Sequence, residues 1–361
     1  MKHITDLTCC RALFAAWVFA YHVNLQSHYA HLLGPARGFV QRGAMGVDGF
    51  FILSGMILAY VHPSLAATMS EARAFWAKRL VRIYPVHFAM ILVFAGMLGT
   101  AWLLHLQPRD PERFSVGELL SHLALLQGWG VSDRWAWNYP AWTISAEWAG
   151  YLLFPVLWPV LRGRGRLSLV AVLATAVVGA AAARLAGAKY GLTLTYDGGL
   201  YRFFPEFIAG IAIIPMLRRI PARVSGHPVA ALGAVLATTA AIYGEELAVL
   251  VGLWLLLAGF MLAGQQGHRP LLARVPGMEW LGEVSYSFYM SFALVETLQA
   301  TVWRHFVADP AAHKLVYVLT MTAMTLGLAM LTHRLVEEPA MQALAAYRRR
   351  RTLAVRYATR G

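Results

Sequence analysis

The chain has 361 residues, 58% of them hydrophobic and only 14% charged, with mean hydropathy +0.54 and a formal net charge of +13. Soluble domains are about one-quarter charged, so this composition excludes an ordinary soluble enzyme. The positive charge does not imply a nucleic-acid partner, because basic residues beside apolar spans usually report topology.

Apolar stretches of spanning length recur at about 7–25, 45–61, 83–104, 141–161, 167–187, 200–217, 227–243, 247–264, 281–303 and 314–334. The expected fold is all-α: a polytopic membrane bundle of about ten transmembrane helices with both termini cytoplasmic. The charges support that count. Twenty Lys and Arg fall on the segments that would be cytoplasmic, eight on the outer ones, and three (Arg11, Arg184 and Arg202) within spans. One membrane domain is expected over residues 1–340, with a basic cytoplasmic tail over 341–361 whose Arg348–Arg351 run would rest on anionic lipid.

The first span carries Arg11 and His22, eleven residues apart. Eleven helical steps complete three turns with roughly 20° left over, so both side chains share one face about 16 Å apart along the axis. Ionisable groups inside a membrane are costly and mark function. An imidazole in the outer half of the span can serve as a general base, or simply as an interhelical hydrogen-bonding group. Cys9 and Cys10, adjacent at its start, read as packing residues.

The second span opens on the run Gly46 to Gly55, with Asp48 between glycines; Asp48 could orient His22 or pair with an arginine. In the next inner loop Arg79 and Arg82, at i and i+3, project from one helical face. Guanidinium forks suit phosphate oxygens, such as those of coenzyme A, although topology alone would also account for them.

The outer connection from about 105 to 140 is broken by Pro108, Pro111 and Pro140, and Glu118–Gln127 reads as a short or half-inserted helix. Trp129, Trp135, Trp137 and Tyr139 follow, as a membrane belt or as an aromatic platform for a sugar. Trp142 opens the next span and Glu147 lies inside it, with Arg202 or Arg184 as expected partners. Later come Leu281-Gly282-Glu283-Val284-Ser285-Tyr286-Ser287-Phe288-Tyr289 and Glu337-Glu338-Pro339. His105 and Asp110 match a glycerolipid-acyltransferase spacing, but in a loop acyl-CoA would not reach. The histidines are scattered singly, and no metal site is expected.

In this order, from Arg11 to Pro339, these segments resemble the acyltransferase-3 family of integral membrane acyltransferases. The resemblance implies transfer of an acyl group, commonly acetyl, from cytoplasmic acyl-CoA to a glycan or lipid-linked saccharide, in the cytoplasmic (inner) membrane of a bacterium. It makes His22 the catalytic residue, as base or acyl carrier. Arg11, Arg79 and Arg82 become donor-site residues and Glu147 a site carboxylate. Asp48 or Glu147 would orient His22, and Trp137, Tyr139 and Trp142 would meet the acceptor. Where the family usually has a second histidine, this chain has Phe292. Two other readings stay open: a proton-coupled transporter using Arg11, His22, Asp48 and Glu147, and a non-catalytic scaffold of a polysaccharide assembly machine.

Overall fold

The computed structural model describes residues 3–106, 110–162, 170, 194–307 and 313–358. Every regular element among them is helical. The long helices are α1 (Thr5–Ser27), α3 (Gly46–Val61), α4 (Met69–Leu103), α6 (Trp142–Leu161), α7 (Gly199–Leu217), α8 (Gly226–Tyr243), α9 (Glu246–Gln265), α10 (Met278–Phe306), α11 (Lys314–Thr332) and α12 (Glu338–Ala358). Two short ones, α2 (Arg37–Gln41) and α5 (Val116–Leu123), lie in connections. Seven described helical segments are long and apolar enough to cross a membrane. The expected spans at 7–25 and 281–303 coincide with α1 and α10. The expected span at 167–187, with Arg184, lies outside the described residues apart from the single helical residue Val170.

Local chemistry sets several boundaries. The Thr68 side chain caps α4 by accepting from the Glu71 N–H. This helix begins well before the apolar stretch, so Arg79 and Arg82 ride on its first four turns. His28 ends α1 in the left-handed conformation, with its N–H on the Asn24 carbonyl at 2.8 Å. Pro339 cannot donate to the turn before it, and the chain passes from α11 into α12 through a π-helical turn, His333–Glu337. α12 crosses the expected boundary at residue 340 and packs on α4.

α1 is central, packed on α10, α3 and α9. α3 lies along α7, α8 along α9, and α10 along α11. The α3–α7 approach requires glycine: a Cβ on Gly55 would meet the Phe207 carbonyl oxygen at 2.0 Å, and one on Gly210 the Ile52 oxygen at 2.0 Å. Cys9 and Cys10 are buried and free, as their packing role anticipates. Asp6, also buried, accepts from the Leu271 and Leu272 N–H groups and ties the start of α1 to the segment before α10.

The outer connection folds inward. α5 is amphipathic and capped by Ser115. Tyr84 of α4 donates to the Leu123 carbonyl at 3.0 Å, and buried His87 meets the His122 carbonyl at 2.8 Å. Gly128 and Gln127 then bond to α6 and the turn before it, which fixes where Tyr139 falls.

Candidate active site

The N-terminal half of α1, one side of α3 along its length, the first half of α4, and α6 and α10 line a cavity of about 370 Å³. It holds Arg11, Arg79, Arg82 and Glu147. It begins near His3, Tyr60 and Arg79, at the end where the basic segments gather, and extends inward to Phe50, Thr143 and Tyr289. The two arginines of the loop motif differ in their surroundings. Arg82 donates to Glu337 Oε1 at 2.5 Å, and Glu337 also accepts from Ser287 at 2.6 Å and meets His333 Nδ1 at 3.1 Å. Its guanidinium is therefore partly committed within the protein. Arg79 lies over the Phe75 and Tyr151 rings, and its buried Nε has no hydrogen-bond partner among the described residues. Glu147 accepts from Ser54 Oγ at 2.6 Å and faces the cavity rather than His22.

His22 lies farther along α1 and is not among the residues that line the cavity. Its Nδ1 is 3.0 Å from the Tyr139 hydroxyl, which donates to Glu296 Oε2 in a very short bond. Gln26, one turn beyond His22, donates to Glu296 Oε1 at 3.0 Å. A phenol has a single proton. With that proton on the carboxylate, Tyr139 accepts from His22, so Nδ1 carries the hydrogen and Nε2 keeps its lone pair. The Phe292 ring packs 4.7 Å from the imidazole and 5.6 Å from Tyr289 of the cavity wall. A single ring layer thus stands between cavity and histidine.

Three expectations change. Asp48 does not orient His22: Arg202 grips it with Nε to Oδ1 at 2.7 Å and a terminal nitrogen to Oδ2 at 2.6 Å, both side chains almost wholly buried. That pairing also takes Arg202 away from Glu147. The carboxylate beside His22 is Glu296, which no motif marked; its only sequence signal is an acid inside an apolar span. Trp137 and Trp142 offer no open platform. Trp137 is buried against Phe114 with its indole N–H on the Ser115 carbonyl, and Trp142 is buried against Phe51 and under the Arg202 guanidinium. Of the three expected acceptor aromatics, only Tyr139 reaches His22.

Fold and site together define a polytopic helical membrane protein whose interior sets a cationic cavity beside a histidine–phenol–carboxylate chain. Residues 4–334 match the family described as an acyltransferase domain, the acyltransferase-3 family. The chain belongs to that family. It is similar to Acyltransferase MdmB of Streptomyces mycarofaciens, 31% identical over 163 residues, covering 44% of this chain and 40% of that one. It is also similar to Putative peptidoglycan O-acetyltransferase YrhL of Bacillus subtilis (strain 168), 24% identical over 185 residues, covering 47% and 26%. The matches thus span less than half the length of either curated relative. No solved structure matches the chain.

Proposed function

We propose that the protein moves an acyl group, acetyl in the first instance, from cytoplasmic acyl-CoA to a hydroxyl of a saccharide or lipid-linked saccharide outside a bacterial cytoplasmic membrane. The carrying observation is the cavity that gathers Arg11, Arg79 and Arg82 and ends one ring layer from His22. On this reading Arg79 and Arg11 hold phosphate oxygens at the basic end, with Arg82 fixed by Glu337. The pantetheine arm lies in the cavity, whose volume is that of an ordinary small-molecule site. A short acyl group suits the single layer that separates Tyr289 from His22. The O-acetyltransferase name of one relative favours acetyl and a glycan acceptor.

In the reaction His22 Nε2 takes the proton of the acceptor hydroxyl as its oxygen bonds to the thioester carbonyl carbon. The carbon–sulfur bond breaks, and the leaving thiolate recovers the proton from the imidazolium, giving an ester and free coenzyme A. Tyr139 and Glu296 hold the imidazole in one tautomer and stabilise its charged form. Glu147, on the cavity wall, acts on the donor side.

Donor kinetics test the assignment. Arg79→Ala and Arg11→Ala should each raise KM for acetyl-CoA about 10- to 100-fold, the loss expected for a charge-assisted hydrogen bond, with acceptor KM unchanged. Unaltered donor KM in both folded variants would remove the cavity from the donor site.

A further inference from the structure

The aromatic run after α5 separates into members turned inward and one left exposed. Trp129 donates to the Ser145 carbonyl and Trp137 to that of Ser115, both turned inward. Trp135 is 40% exposed. Its ring meets Tyr139 at 5.3 Å and Tyr196, from the segment before α7, at 5.1 Å, both edge-to-face. Tyr139 in turn lies 5.5 Å from His22. An unbroken line of rings therefore runs from the surface to the imidazole.

The segment bearing Trp135 is braced. Arg113 Nε donates to the Trp135 carbonyl at 2.8 Å, and Arg134 bonds Asp133 and Glu112. An exposed indole on a braced loop loses little conformational freedom when a ligand covers it. Its contacts turn it toward Tyr139 and the second tyrosine, whereas an interfacial anchor is an amphipathic ring set at the headgroup level. Polar groups stand nearby: the Gln26 side chain is exposed beside Glu296, and the Arg134 hydrogen bond holds the Asp133 carboxyl below its usual range and so ionised. Aromatic faces with a few hydrogen-bonding groups at their edge suit a ligand with an apolar face and equatorial hydroxyls.

We propose that Trp135 and Tyr196 form a stacking platform for a pyranose ring of the acceptor, which sets a neighbouring hydroxyl toward His22. The inference rests on the reading of His22 as the acyl-transfer residue and adds the acceptor subsite to it.

Saturation-transfer NMR on the full chain in lipid nanodiscs tests it, with methyl β-glucopyranoside and methyl N-acetyl-β-glucosaminide as probes. Wild type should saturate the ring C–H protons of at least one probe. Trp135→Ala with Tyr196→Ala should lose most of that signal, Trp135→Phe should keep at least half, and His22→Ala should keep all of it. Equal saturation in the double variant, or none from either pyranoside in wild type, overturns the platform. Loss of acyl transfer in His22→Ala is scored separately. A failed platform with His22-dependent transfer intact rejects this inference alone, and an intact platform with transfer surviving in His22→Ala rejects only the catalytic reading.

Discussion

Replacing Arg202 by methionine separates a structural role of Asp48 from a chemical one. The guanidinium makes two bonds to the carboxylate, at 2.7 and 2.6 Å, and one to the Ala44 carbonyl at 3.1 Å. Asp48 is fully buried, and Glu206, also buried, lies close by. Removing the cation strands a carboxylate that water cannot reach, at a cost of about 3–5 kcal/mol. Asp48→Asn alone should be less severe, because it leaves a buried cation that still holds the Ala44 carbonyl. Combining the two substitutions removes both charges, and uncharged replacements of a buried pair are often nearly neutral, so the double variant should recover at least half of the loss. Thermal unfolding in detergent, followed by tryptophan fluorescence, should place Arg202→Met on the order of 5–10 °C below wild type. Acyl transfer per folded molecule in the double variant should stay within about threefold of wild type, since the pair touches neither His22 nor the arginine-lined cavity. A double variant of normal thermal stability but without activity would refute this reasoning and return Asp48 to the chemistry.

Glu296→Gln should lower kcat about 100-fold with donor KM unchanged, because the amide cannot stabilise the imidazolium as the carboxylate does; steady-state kinetics at saturating acetyl-CoA decides it. Tyr139→Phe breaks the same chain one link earlier and should cost about tenfold in kcat at equal folded yield. Arg82→Ala leaves Glu337 buried beside Ser287 and His333, so thermal unfolding should show a loss of about 3 kcal/mol that Glu337→Gln in the same chain partly restores. Gly55→Ala should abolish folded, monodisperse protein, whereas Gly96→Ala, with open space around a built Cβ, should chromatograph like wild type.

Local geometry made α1 legible in the sequence. The eleven-residue spacing needs only helix periodicity to put Arg11 and His22 on one face. Span boundaries were readable for the same reason: the stretch at 141–161 became Trp142–Leu161 and that at 227–243 became Gly226–Tyr243. Partner choice across the bundle was not legible. Asp48 meets an arginine 154 residues away, and helical patterning carries no information about which of three intramembrane arginines arrives there. Glu337 stood in a noted motif, yet its pairing with Arg82 depends on the π-helical turn that rotates it inward. The aromatic run marked a region rich in rings without telling which faced inward. Indole N–H bonds to carbonyls in other segments turn Trp129 and Trp137 inward, and Trp135 stays outside.

The central claim is that His22 carries acyl transfer fed from the arginine-lined cavity. Its most direct test uses proteoliposomes holding wild type or His22→Ala, with radiolabelled acetyl-CoA supplied to the cytoplasmic face and a lipid-linked saccharide fraction inside. Alkali-labile label in the saccharide should accumulate with wild type and fall at least 100-fold with the variant at equal folded abundance. Label accumulating at the wild-type rate with folded His22→Ala would contradict the account.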